Sequence, residues 1–154
     1  MAQSPRTLHR LLYRSRQTPE AAADLDFVVG QIIASAIRHN RTVGLTGLLL
    51  TVQGNFIQAL EGNINVVRAT YARISMDRRH HDLQIISQGP AERRLFGEWN
   101  MCAAALAPSD KAILKVLDEK GGFNPRALTA ASTQRLLTTV ADIQRRTALA
   151  ALVG

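Results

Sequence analysis

The alternation of apolar periods between residues 8 and 105 leaves this chain few folds to choose from. Leu25, Val28, Val29, Ile32, Ile33, Ala36 and Ile37 recur at i, i+3 and i+4, one face of an α-helix. On both sides the period falls to two. Leu8 to Ser15 reads as a strand, with Leu11, Tyr13 and Ser15 on one face and Leu12 and Arg14 on the other. Thr18-Pro19 breaks the chain after it, and Asp24 is placed to cap the helix, which should end near His39-Asn40. Residues 44–52 form a buried strand, Gln53-Gly54-Asn55 a turn, and Phe56 to Leu60 the returning strand, with Phe56, Gln58 and Leu60 on one face. Asn63 or Asn65 caps a second helix running to about Arg78, on which Arg73 and Asp77 lie four apart and share a face. Leu83 to Gln88 and Trp99 to Ala105 are the last two strands, the latter pointing Trp99, Met101 and Ala103 one way.

The order βαββαββ is the split βαβ of a ferredoxin-like α+β fold, with both helices on one face of the sheet. It occupies residues 1–107. Residues 108–154 read as a two-helix extension of the same globule. Ser109 caps a short helix carrying Ile113, Leu114 and Leu117, closed by Gly121-Gly122. Asn124-Pro125 opens a longer one with an apolar stripe of Leu128, Leu136, Leu137, Val140, Ile143 and Leu149. A sheet with helices on one face needs its other face covered. The extension is expected to cover it, to form a homodimer contact, or to do both.

Composition narrows the function classes. At 154 residues, 46% hydrophobic and 20% charged, the chain is neither a disordered tail, a collagen-like repeat nor a disulfide scaffold. No apolar run approaches the roughly 18–20 residues of a membrane span, and the N-terminus lacks the apolar core of a secretory signal. The lone Cys102 fits a reducing compartment, so a cytoplasmic location is expected. A net charge of +7 admits nucleic acid, acidic proteins or a phosphate-bearing cofactor as partners, although the charges are spread along the chain. His9, His39, His80, His81 and Cys102 show no metal-ligand spacing. There is no nucleophile elbow, and Gly44-Leu45-Thr46-Gly47 opens a strand where a phosphate cradle would open a helix. Glu61, Asp77 and Glu98 have no spacing that argues for acid–base pairing.

Gln58 sits mid-strand between Phe56 and Leu60. It is either a solvent-facing residue of the hairpin or a buried amide, which must be satisfied because a bare one costs about 1–3 kcal/mol. Tyr13 can supply the partner, since the split βαβ order makes the first and third strands neighbours. Tyr–Gln is a poor acid–base pair and a good relay, because the amide both donates and accepts. Arg73 and Asp77 form a surface ion pair, or line a groove between the helices with Asn40. Trp99 and Met101 read most simply as core residues of an edge strand.

Taken in order, five fragments resemble the BLUF family, blue-light sensors that use FAD. They are Leu11-Leu12-Tyr13-Arg14-Ser15, Asn40-x-x-x-Gly44-Leu45-Thr46-Gly47-Leu48-Leu49, Gly54-x-Phe56-x-Gln58-x-Leu60-Glu61-Gly62, Arg73-Ile74-x-x-Asp77-x-Arg79-His80 and Arg94-x-Phe96-x-x-Trp99-x-Met101. The resemblance implies FAD held non-covalently between the two helices. Asn40 and Arg73 would sit at the pyrimidine edge, Asp77 and His80 along the cofactor beside them, and Ile32, Phe56 and Ile74 against the rings. Ser15 and His39 are further cofactor-binding positions, and many members carry Asn where His39 stands. Tyr13 and Gln58 would be the photochemical pair, through which light reversibly moves an electron and a proton. The Gln58 amide emerges rearranged and the absorption band shifts to the red. Trp99 and Met101 would relay the signal through the fifth strand to the C-terminal helices. By this resemblance the chain is no enzyme. It is a short-form sensor, a homodimer acting on a separate partner protein.

Two other readings keep the ferredoxin-like fold. A nucleic-acid-binding module would need aromatic residues on an open sheet face, and four Phe, two Tyr and one Trp supply no such run. An acylphosphatase-like hydrolase would need an anion loop after the first strand, where Arg16-Gln17-Thr18-Pro19 stands instead.

Overall fold

The computed structural model describes residues 8–97, 102–105 and 125–153. Strand β1 (Leu8–Gln17) leads through a short helix α1 (Pro19–Ala23) into α2 (Leu25–Val43). The hairpin β2 (Thr46–Val52) and β3 (Asn55–Asn63) follows, then α3 (Ile64–Ser75), β4 (His80–Pro90) and β5 (Cys102–Ala105). A 3-10 turn (Pro125–Ala127) precedes the long helix α4 (Ala130–Val153). The sheet order is β4-β1-β3-β2-β5, antiparallel throughout except for the parallel β2–β5 edge. Placing β3 between β1 and β2 is the split βαβ arrangement expected from the sequence.

Residue parity along the strands divides the core in two. Leu11, Tyr13, Leu49, Phe56 and Leu60 face α2 and α3, joined by Leu45 and by Val67 of α3. Leu12, Leu48, Leu50, Val52, Ile57 and Ala59 face the other way, against Leu136, Leu137, Val140 and Ala141 of α4. The covering helix expected for the second face is therefore α4. Residues of β2 and β3 are buried on both faces, which is why Leu48-Leu49-Leu50 shows no polar alternation.

Several boundaries differ from expectation for identifiable reasons. Thr18-Pro19 starts a helix as well as ending a strand: the Thr18 hydroxyl accepts from the Ala21 amide at 3.2 Å and Pro19 takes the first turn. Asp24 occupies the cap position of α2 without a side-chain capping bond. Helix α2 passes His39-Asn40 and stops only where Gly44 adopts a left-handed φ of 69°, with the Gly44 and Leu45 amides both donating to the Asn40 carbonyl. Asn63, rather than Asn65, caps α3 by accepting from the Asn65 amide at 2.8 Å. That helix ends at Ser75, short of Arg78, because the Met76 and Asp77 amides turn back onto Arg73 and Ile74. Strand β4 extends beyond Leu83–Gln88 at both ends. As an edge strand it is exposed at most positions, so it carries little apolar signal. The second extension helix starts at Ala130, where the Thr129 hydroxyl accepts from the Ser132 amide at 3.1 Å, while Pro125 opens only the 3-10 turn. Trp99, Met101 and the short helix expected after Ser109 lie outside the described residues.

Candidate functional site

Helices α2 and α3 do not close over the sheet. They leave a cleft of about 690 Å³, within the roughly 300–1,000 Å³ usual for small-molecule sites. Its floor is Tyr13 from β1, Leu49 from β2, and Phe56, Gln58 and Leu60 from β3. Helix α2 contributes Ile32, Ser35, Ala36, Arg38, His39 and Asn40, and α3 contributes Thr70, Arg73 and Ile74. Arg79 and His80 complete the wall. Among the described residues three arginines and two histidines line the cleft and no carboxylate does, so it suits a ligand that is electron-rich at its polar edges.

Tyr13 and Gln58 are direct partners in the β1–β3 register, on the face towards the cleft. The Tyr13 hydroxyl donates to Gln58 Oε1, and both side chains are buried. Gln58 is thus the satisfied buried amide, not the solvent-facing alternative. The Tyr13 ring lies edge-on to Tyr71, with centroids 5.3 Å apart. Burial raises the Tyr13 pKa above its ordinary value, with smaller contributions from Tyr71 and Asp77. The phenol therefore keeps its proton at neutral pH and presents it to the amide.

His80 is fixed at both ring nitrogens. Nε2 lies 2.7 Å from the Ile74 carbonyl, which can only accept, so Nε2 carries the proton. In the neutral ring Nδ1 then accepts from the Ser15 hydroxyl, at 2.7 Å. Ser15 has no exposed surface and does not line the cleft; it acts by holding His80. The His80 and Phe56 rings meet edge-on with centroids 6.1 Å apart.

Neither reading of Arg73 and Asp77 as a pair holds: Asp77 is bonded to Arg79, and of the two only Arg73 lines the cleft. Because α3 ends at Ser75, Asp77 is off the helix, and the i, i+4 geometry no longer applies. Asp77 instead grips Arg79: Oδ1 accepts from the Arg79 amide and Nε, each at 2.9 Å, and Oδ2 accepts from Nη2. That hydrogen bonding holds the Asp77 carboxyl below its ordinary pKa. Asp77 does not line the cleft, whereas Arg79 does. Arg73 points towards α2, where its Nη1 lies 3.4 Å from His39 Nδ1.

The structure thus brings Tyr13, Ile32, His39, Asn40, Phe56, Gln58, Arg73, Ile74 and His80 to one cleft, and sets Ser15 and Asp77 behind it as supports. Sequence reasoning missed Ser35, Ala36 and Arg38 on α2, Leu49 and Leu60 on the floor, Thr70 on α3, and Arg79 as lining residues. Helical spacing carried part of that signal, since Ser35, Ala36, His39 and Asn40 stand 3, 4, 7 and 8 residues after Ile32. Among the described residues no group of three or more His, Cys, Asp or Glu is placed to hold a metal ion.

Comparison with known proteins gives one answer at three levels. Photoactivated adenylate cyclase subunit beta of Euglena gracilis is 32% identical over 94 residues, 61% of this chain and 11% of that protein. The alpha subunit from the same organism is 31% identical over 94 residues, 9% of its length. The chain therefore spans only about a tenth of these curated relatives. Among solved structures, BlsA in its photo-activated state superposes with a TM-score of 0.76 at 25% identity, over 86% of this chain and 94% of that one. BlrB, a BLUF protein in its dark state, gives 0.69 at 26% identity over 88% and 98%. The family model for BLUF, sensors of blue-light using FAD, matches residues 8–102, and the chain belongs to that family.

Proposed function

We propose that this chain is a blue-light receptor whose switch is the Tyr13–Gln58 pair and whose output goes to a separate protein. The observation that carries the reading is the buried hydrogen bond from Tyr13 to Gln58 Oε1 on the cleft floor. FAD fits the residues present. Ile32, Phe56 and Ile74 offer apolar walls for a ring system, Asn40 offers a buried amide, and Arg38, Arg73 and Arg79 offer cations to carbonyl and phosphate oxygens. Bound there, FAD supplies absorption of blue light and a reversible one-electron acceptor.

The protein's part is to hold a proton and an amide in a defined arrangement. Tyr13 keeps its proton because burial disfavours the phenolate. Gln58 accepts that proton's hydrogen bond at Oε1 and leaves Nε2 to donate elsewhere. Rotating the amide would exchange which of its ends meets Tyr13, and tautomerising it would turn Oε1 from an acceptor into a donor. In a site of low dielectric either change separates two states by more than it would in water. The Ser15–His80–Ile74 chain and the Asp77–Arg79 clamp hold the wall still while this happens.

Residues 1–107 serve as the sensor in this proposal, with Trp99 and Met101 of that segment relaying its state to residues 108–154, which report it. The relatives named as cyclases match the chain over 94 residues only, a small share of their length, so their catalytic activity is no part of the proposal. A homodimer is part of the proposal. The nucleic-acid alternative loses its main requirement, because the sheet face it would use is packed beneath α4.

The test is an absorption spectrum of purified protein in the dark, under blue light and after dark recovery. A flavin band that shifts red and returns is expected, with no shift in Tyr13→Phe or Gln58→Leu. A reversible shift that survives in both variants would remove the proposed switch, and protein that takes up no FAD would remove the reading altogether. Among the described residues no helix is long and apolar enough to cross a membrane.

A further inference from the structure

The segment 93–96 is tied into the fold by more than its length requires. Glu61, at the end of β3, is buried with no exposed surface, and its carboxylate is filled by three donors. Oε1 accepts from the Phe96 amide at 2.8 Å, and Oε2 accepts from the Leu95 amide and from Arg10 Nε, each at 2.8 Å. Arg10 also donates through Nη2 to the Arg93 carbonyl at 2.7 Å.

Arg94 extends this anchor to the cleft wall. Its Nη2 donates to the Gly44 carbonyl at 2.8 Å, and its Nη1 donates to Thr46 Oγ1 at 2.7 Å and the Glu61 carbonyl at 3.1 Å. Gly44 is the residue that ends α2, and its own amide is bonded to the carbonyl of Asn40, a cleft residue. A cation at a helix C-terminus is favourably placed against the exposed carbonyls there. The approach is close: a Cβ on Gly62 would lie 3.3 Å from the Gly44 carbonyl oxygen. Phe96, two residues along, is buried on the opposite side of the sheet, in the cluster that contains Leu137, Val140 and Ala141 of α4. A single short segment therefore touches the last turn of the helix bearing His39 and Asn40, and the core beneath α4.

We infer that Arg94 is a positioning residue that couples the cleft wall to β5 and α4; the inference rests on the photoreceptor reading. If the last turn of α2 shifts when the cleft changes state, the Gly44 carbonyl moves. The guanidinium then either follows, carrying residues 95–96 with it, or gives up one of three acceptors. Close-packed interiors answer such a demand by moving between discrete arrangements rather than by stretching.

Hydrogen–deuterium exchange on the full, FAD-loaded chain tests this, in the dark and under blue light, for wild type, R94Q and R94K. Wild type should show a light-minus-dark exchange difference in residues 102–105 and 136–141. R94Q should keep the flavin red shift and lose that difference by at least about fivefold, the low end of ordinary coupling between sites. R94K keeps a cation within reach of part of the acceptor set and should restore part of the difference; it decides the matter if R94Q fails to hold FAD. The inference is overturned if the variants shift normally and keep the full difference, including the case where exchange rises equally in light and dark, as a merely structural role would give. It is also overturned if wild type shifts but shows no difference in either segment. Absence of any red shift in wild type defeats the underlying reading, is recorded by the spectrum alone, and takes the inference with it.

Discussion

Leu137→Ala measures how firmly α4 belongs to the sheet. Leu137 has no exposed surface and shares a cluster with Leu12, Leu48, Leu50 and Ile57. Truncation removes the transfer free energy of the lost carbons and leaves a cavity that rigid strand neighbours cannot fill, a cost of about 2–5 kcal/mol. For a chain of this size each kcal/mol moves the melting midpoint by about 2–4 °C, so a fall of roughly 4–20 °C follows. Gln134→Ala, at an exposed position of the same helix, is the control and should stay within about 0.5 kcal/mol of wild type. Thermal unfolding followed by far-ultraviolet circular dichroism reads both. The dark flavin band should be unchanged in Leu137→Ala, because the cleft lies on the other face of the sheet. A midpoint for Leu137→Ala within about 2 °C of the control would refute the packing argument, since the least change expected from a filled core site is about twice that.

Tyr13→Phe should abolish the light-induced shift and, by removing the donor to Gln58 Oε1, lower stability by about 0.5–1.5 kcal/mol in a denaturant titration. Thr133→Val should raise stability by about 1 kcal/mol, measured the same way, because the buried Thr133 hydroxyl has no partner among the described residues and valine fills the same space. The Asp77 carboxyl titrates below its ordinary value when folded, so it stabilises the protein above the unfolded value of about 3.9 and loses that effect as pH falls through the folded one. Melting midpoints taken from about pH 7 down to about pH 2.5 should show that acid loss in wild type and a shallower one in Asp77→Asn.

The Tyr13–Gln58 contact is legible in the sequence as one of two placements for Gln58, because two independent rules converge on it. Two-residue parity puts both side chains on one face, and the βαββ order makes their strands neighbours. The stripe of Leu136, Leu137 and Val140 was legible for the same reason: burial imposes a period. What escaped was local competition between caps and turns. Thr18-Pro19 is equally a strand terminator and a helix start, and only the hydroxyl's bond to the Ala21 amide decides between them. Helix α3 ends about a turn before the expected Arg78 because Asp77 finds amide and guanidinium donors on Arg79 once it leaves the helix, a choice that side-chain periodicity does not record. That single boundary separates Asp77 from Arg73 and places Arg79 at the cleft. Strand β4 runs past the expected Leu83–Gln88 because an exposed edge needs no apolar alternation.

The placement of the pair within the sheet bears on how this molecule can be engineered. Tyr13 and Gln58 stand on strands that are each flanked on both sides, β1 by β4 and β3, and β3 by β1 and β2. Neither backbone can slide without breaking two ladders at once, so the spacing between phenol and amide is set by the weave and not by whatever fills the cleft. Tuning of colour or lifetime is then a matter of repainting the cavity walls, at Ser35, Leu49 or Thr70 for example, around a frame that keeps its gauge.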